Sequence, residues 1–227
     1  MNIAFIPVRG GSKSIKLKNI KLLNNRPLIY WSLDAADSCK EIDKIIVSTD
    51  SDEIRECVEL YDSNKIEIFN RSKESATDTA TTESAMLEYS ERYEFENIIL
   101  IQATSPMLTS NDLKCGIKKF NEKGIDSVLS VVRQKRFIWK KEDEKYIPQN
   151  YDYNKRPRRQ EFNGFLVENG AFYITSRENL LKSKCRVSGN ISCVEMSEES
   201  YFEIDEISDW IIVEELLKNK VNKTIYK

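Results

Sequence analysis

Asn2-Ile3-Ala4-Phe5-Ile6-Pro7-Val8, followed at once by Arg9-Gly10-Gly11-Ser12-Lys13, decides how this chain reads. The first seven residues are mostly apolar rather than alternating, which suits a strand buried on both faces of a parallel sheet. Working outward, residues 44–48 (KIIVS), 65–69, 97–102 (NIILIQ) and 126–132 (DSVLSVV) give further strands. Helical segments fall between them. One has Pro27 in its first turn and runs through Leu28, Trp31, Ser32 and Ala35. The next holds Ile54, Val58 and Leu60 behind an Asp50 or Ser51 cap, and another is expected over about 79–93 with Asp78 as cap. A fourth spans 109–120, capped by Ser110 or Asn111. Strands alternating with helices at this spacing predict an α/β fold with a mainly parallel sheet.

The alternation breaks at 134–164, a stretch rich in charge and aromatics with two prolines, which reads as neither helix nor strand. A loop of that length is usually functional or part of an interface. Strands resume at 170–175 and 191–196, and a last helix starts near Asp205 with Ile207, Trp210, Ile211, Val213, Leu216 and Leu217 at helical spacing. Residues 219–227 read as a frayed polar tail. The whole of 1–227 is expected to be one domain, with 134–164 as an irregular extension.

Composition narrows the chemistry. The 227 residues include no histidine, which excludes Ser-His-Asp and Cys-His constellations, His-ligated zinc and an imidazole base. Lys and Arg number 35 against 37 Asp and Glu, so a globally basic nucleic-acid binder is excluded too. The five scattered cysteines, Cys39, Cys57, Cys115, Cys185 and Cys193, read as reduced, buried cytosolic thiols. No apolar run approaches the ~20 residues of a membrane span, so a cytoplasmic protein is expected.

Ligands of open parallel sheets bind beyond the carboxyl ends of the strands. The polar segments there are 9–13, 48–50, Arg71, 102–106 and the basic continuation of Val132. Arg9 to Lys13, continuing through Lys16, Lys18 and Asn19, has the glycines and cations of a triphosphate cradle, or is simply a solvated turn. It matches neither the P-loop nor the dinucleotide fingerprint. Glu203 and Asp205 alternate on an extended segment, so both carboxylates can face one site and hold Mg²⁺ with substrate phosphates; alternatively Asp205 is a helix cap. The cluster Lys155-Arg156-Pro157-Arg158-Arg159-Gln160 suits a small anionic substrate better than a nucleic acid, a solvated loop being the alternative.

Taken together, these segments resemble the acylneuraminate cytidylyltransferases, the CMP-sialic acid synthetases. The resemblance is carried by residues 8–13 with Lys18-Asn19, then VSTD at 47–50, RSKESATDTATT at 71–82, IQATSP at 101–106 and DSVLSVVR at 126–133. It continues with KRPRRQE at 155–161, ENGAFY at 168–173 and FEID at 202–205, all in order from residue 3 to about 217. The wording is closer to the animal branch, whose basic run is also read as an import signal and whose C-terminal phosphatase-like domain is not expected within this length.

The resemblance implies a Rossmann-like, three-layer nucleotidyltransferase fold in which 134–164 serves as a dimerisation element. It implies transfer of CMP from CTP to the anomeric hydroxyl of a sialic acid with Mg²⁺, N-acetylneuraminate being the first substrate to consider. Other nonulosonic acids, a 3-deoxy-octulosonic acid or a non-catalytic nucleotide-binding role are the alternatives. Carried over by position, Arg9, Ser12, Lys13, Lys18 and Asn19 match CTP contacts, and Arg71, Ala80 and Thr82 match the cytidine pocket. Gln102, Lys140, Arg158, Asn169 and Tyr173 match sugar positions, with Arg159 and Gln160 beside the carboxylate-binding candidate Arg158. Asp205 matches the metal-binding aspartate, and Arg9, Lys18 and Asp205 form the expected catalytic set. Glu203 stands where the family usually has Asp, Leu108 where the bacterial form has Arg, and Cys185-Arg186-Val187 where some members carry aromatics.

Overall fold

A computed structural model describes residues 1–11, 14–77 and 79–225, with side chains described as far as 219. Its centre is a seven-stranded sheet ordered β11-β7-β10-β6-β1-β4-β5. The strands are β1 (Asn2–Pro7), β4 (Lys44–Thr49), β5 (Ile66–Asn70), β6 (Asn97–Ile101), β7 (Ser127–Gln134), β10 (Phe165–Ser176) and β11 (Ile191–Met196). Every strand runs parallel to its neighbours except β10, which is antiparallel to both β6 and β7.

The apolar strand sequences divide between two faces by simple alternation. Ala4, Ile6, Ile45, Val47, Ile99 and Ile101 pack on one side with Ile29 and Leu33 of α1 (Leu28–Asp37), Ile54 and Val58 of α2 (Asp52–Glu59), and Leu113 and Ile117 of α4 (Ser110–Phe120). Ile3, Phe5, Ile46, Ile98 and Leu100 point the other way, onto Ala85, Met86 and Tyr89 of α3 (Thr82–Arg92) and Leu180 of α5 (Arg177–Ser183). The result is the expected layered α/β arrangement. A third cluster joins Leu23, in the small β2–β3 pair (Leu22–Leu23 with Arg26–Pro27), to Ile204 and to Trp210, Val213 and Leu217 of α6 (Ile207–Ile225).

Several local expectations are corrected. Thr81 caps α3 by accepting the Ser84 amide, so the helix starts later than 79; Asp78 lies outside the described residues. Thr109 caps α4 in a reciprocal capping box with Asp112, in place of Ser110 or Asn111. Between the alternatives at α2, Ser51 is the cap. The short helix α5 was not expected, and α6 begins at Ile207 and runs through 219–225, a stretch free of Gly and Pro. Residues 134–164 contain a hairpin, β8 (Trp139–Glu142) and β9 (Lys145–Pro148), anchored at its base by Phe137 against Tyr151 and Phe162 with Arg156 stacked 4.5 Å over Phe137. Every thiol is free, but only Cys39 is buried; Cys115 and Cys185 are exposed, so the cysteines are not all small core residues.

Helix and sheet pack closely at Gly116 of α4, where an added Cβ would lie 2.6 Å from the Phe172 ring of β10. Gly116→Val should therefore destabilise by about 1–3 kcal/mol through overpacking, despite the better helix former. Urea unfolding should show a lower midpoint at unchanged slope; an unchanged midpoint would show that the interface yields freely.

Candidate active site

From β1 the chain moves outward through β4 and β5, then returns to place β6 on the other side of β1. The carboxyl ends of β1 and β6 therefore diverge at a topological switch point, where an α/β sheet opens a crevice. A cleft of about 560 Å³ lies there, lined by Arg9, Lys18, Asn19, Arg71, Ala80, Thr82, Gln102 and Asp205 among others. Eight sequence-predicted site residues are thus brought to one cavity from segments spread over nearly 200 positions. Thr104, within the expected segment 102–106, also lines it; Ser14, Thr81 and Glu206 do too and were missed, their signal being adjacency to the residues already singled out. Ser12 and Lys13 lie outside the described residues.

The loop after β1 is held by charge. The Gly10 amide donates to Asp50 Oδ1 at 3.0 Å, and a side chain at Gly10 would collide with Ser51, 2.9 Å from the built Cβ. Asp50, at the end of β4, thereby fixes the cradle. Arg9 Nη1 donates to the Thr77 carbonyl at 3.2 Å, tying this loop to the segment that leads into Ala80 and Thr82. Arg71 donates to the Ser75 carbonyl, yet its buried Nε meets no acceptor among the described residues. Burial lowers the Arg71 pKa, while Asp50 and Glu88 counteract that. A desolvated guanidinium with an open donor on a cleft wall suits an acceptor brought by a ligand.

Lys18 closes the other wall. Its buried side chain reaches across 186 residues to donate to the Ile204 carbonyl at 2.7 Å and lies 3.2 Å from Asp205 Oδ1. Asp205 is not the α6 cap; Asp209 instead accepts from the Asp205 and Glu206 amides, leaving the Asp205 carboxylate 72% exposed at the cleft. Glu203 packs against Gly170, whose φ of +65° and lack of a Cβ (one would sit 2.5 Å from Glu203 Oε1) accommodate it within the β10 bulge. Burial first, then Asp205 and Glu168, push the Glu203 carboxyl up to about 7. Glu168, Glu203, Asp205 and Asp209 line a smaller adjoining pocket with Tyr201 and Phe202.

No group of three or more His, Cys, Asp or Glu forms a metal cage among the described residues. The donor set of an exposed Asp205 beside Glu203 fits a largely hydrated Mg²⁺ that takes its other ligands from phosphate and water.

The expected sugar residues are divided. Gln102 lines the cleft, whereas Tyr173 is buried in β10 and donates its hydroxyl to Glu168. Asn169 is buried, donating to the Ser200 carbonyl at 2.9 Å while its Oδ1 has no partner among the described residues. Lys140 is exposed on β8 and pairs with Glu142 at 2.9 Å. Arg158, Arg159 and Gln160 are exposed and do not line this chain's cleft; Arg159 lies 3.6 Å from Glu198.

The chain is similar to known proteins. The chain is 39% identical over 218 residues to N-acylneuraminate cytidylyltransferase B of Danio rerio, covering 93% of this chain and 50% of that protein. It is 30% identical to the N-acylneuraminate cytidylyltransferase of Streptococcus agalactiae serotype V, covering 99% of this chain and 57% of that protein. The chain thus spans little more than half the length of these relatives. Among solved structures, CMP:2-keto-3-deoxy-manno-octonic acid synthetase complexed with CTP superposes with a TM-score of 0.72 at 16% identity, covering 96% of this chain and 99% of that one. The 4-diphosphocytidyl-2C-methyl-D-erythritol synthase of Anaerococcus prevotii gives 0.71, also at 16% identity and covering 96% of each chain; both likenesses speak for the fold. The family model described as cytidylyltransferase matches residues 3–218, and with a cationic cleft at the strand ends the chain belongs to that family.

Proposed function

We propose that this chain transfers CMP from CTP to the anomeric hydroxyl of a sialic acid, N-acetylneuraminate first, releasing pyrophosphate. The observation that carries the reading is the cleft itself, where Arg9, Lys18 and Arg71 converge with the Asp205 carboxylate. The similarity to relatives named for the same activity supports it, and gives the sugar acid as the acceptor.

In the reaction the acceptor oxygen bonds to the α-phosphorus while the bond from that phosphorus to the bridging β-oxygen breaks. The hydroxyl proton leaves to solvent or to a carboxylate. Arg9 and Lys18 offset charge on the departing pyrophosphate, Asn19 and Arg71 orient the nucleotide, and Ala80 and Thr82 bound the base. Ser12 and Lys13, next in sequence after Gly11, are assigned to the phosphates by the family pattern. Mg²⁺ held through Asp205, with Glu203 alongside, supplies charge neutralisation at the phosphates when bound. Lys18 holds Asp205 towards the cleft in the meantime.

We read the protein as a cytoplasmic homodimer. Free thiols, and the lack of any helix among the described residues long and apolar enough to cross a membrane, support the location. The exposed Trp139, Tyr146 and Tyr153 on and after the β8–β9 hairpin support a subunit interface there. On this reading, Lys140, Arg158, Arg159 and Gln160 reach the acceptor half of the neighbouring cleft, with Arg158 on the substrate carboxylate.

A pyrophosphate-release assay with CTP and a panel of N-acetylneuraminic, deaminated neuraminic, legionaminic, pseudaminic and 3-deoxy-octulosonic acids tests the function. Turnover should be fastest with a nine-carbon acid; release with the octulosonic acid alone would replace the acceptor, and none with any acid would leave a binding module. Asp205→Ala should lower kcat roughly 100-fold or more while the protein stays folded, and near-normal turnover would remove the metal assignment. Arg158→Ala should raise KM for the acid by about 10–100-fold with CTP affinity retained. Dilution to monomer should abolish acid turnover, so a fully active monomer would contradict the shared site.

A further inference from the structure

Arg186 belongs to no part of the site described so far, yet its surroundings are unusually constrained. It follows α5 in the loop leading to β11, and its guanidinium makes a two-pronged ion pair with Glu83, Nη2 to Oε2 being 3.0 Å. Both side chains are only about one-fifth exposed, at 20% and 19%. Desolvating such a pair offsets much of its attraction, so stability alone does not account for it.

Its two neighbours supply a geometric role. Glu83 lies in the first turn of α3, directly after the cleft-lining Thr81 and Thr82. On its other side, the Arg186 guanidinium sits 5.0 Å from the Tyr173 ring centroid. Tyr173 in turn donates its hydroxyl to Glu168, which lines the smaller pocket beside Glu203 and Asp205. A continuous chain of contacts therefore runs from the nucleotide wall through Glu83, Arg186 and Tyr173 to the acidic wall. Burial and Glu168 raise the Tyr173 pKa well above its usual value, so the hydroxyl stays a donor at working pH.

We propose that Arg186 is a positioning residue for the acceptor half of the site: clamped by Glu83, it fixes the Tyr173 ring so that the hydroxyl stays on Glu168. This rests on reading the cleft as a cytidylyltransfer site with a sugar-acid acceptor. The planar guanidinium is required because one group must both fork onto a carboxylate and lie against a ring face; a lysine ammonium does neither in the same way.

The test is steady-state kinetics on the full chain, with melting temperature and amide exchange alongside, for Arg186→Lys, Glu83→Gln and the swapped pair Glu83→Arg with Arg186→Glu. Both single variants should raise KM for the acid about tenfold while KM for CTP stays within about twofold. The swap should recover melting temperature but not the acid KM, because the guanidinium then sits on α3 and no longer faces Tyr173. Recovery of both, a parallel rise in KM for CTP, or no change in either KM would each overturn the proposal. If the single variants do not fold, the swap decides alone. Should the wild type turn over no acid of the panel, the functional reading fails instead. The positioning role is then judged by amide exchange over residues 168–173, which Glu83→Gln should accelerate; unchanged exchange would overturn it.

Discussion

The buried Lys18 ammonium is the interaction on which the site depends. It joins the loop after β1 to the segment before α6 by donating to the Ile204 carbonyl, and it lies beside the Asp205 carboxylate. Ile204 is fully buried between the β2–β3 pair and α6, and its amide donates to the Thr104 carbonyl at the end of β6. The ammonium and the Ile204 amide thus together join three chain segments at the open end of the sheet. Without the ammonium, the Asp205 carboxylate would lose the cation beside it, and a buried carbonyl would lose its donor.

The rest of the cleft is arranged around fixed charges. Asp50 holds the Gly10 amide, Arg9 reaches the Thr77 carbonyl, and Arg71 keeps an open buried donor. With no histidine in the chain, these cations and carboxylates carry whatever electrostatic work is done. Such a site suits a polyanionic substrate, because preoriented cations in a half-dry crevice stabilise charge more strongly than mobile ones in water. The antiparallel β10 adds the second half. Its bulge admits Glu203 against Gly170 and brings Glu168 near the same carboxylates.

What the sequence revealed followed from burial. Residues 2–8, 65–69 and 97–102 are short runs whose apolar or β-branched character marks strands, and their ends pointed to Arg9, Arg71 and Gln102. The β8–β9 hairpin left no such trace, since every residue of β8 is exposed and no alternation exists to read. α5 is a seven-residue helix of mostly polar residues, too short for a periodic signal. The Glu83–Arg186 pair joins residues 103 positions apart, and only the packing of α3 on α5 brings them together. Arg158 and its neighbours form one dense run in sequence, but the fold keeps them off their own chain's cleft, a separation set by tertiary placement alone.

The most direct measurement is the footprint of CTP with Mg²⁺ on amide exchange, compared between the wild type and Lys18→Met. In the wild type, protection should rise around Arg9–Gly10, Arg71, Ala80–Thr82, Gln102–Thr104 and Ile204–Glu206 together. In Lys18→Met the Ile204 segment should exchange faster even without ligand, and the footprint should fade while the sheet keeps its protection. Protection confined to another region, or an unaltered footprint in Lys18→Met, would contradict a nucleotide cleft assembled by this clamp.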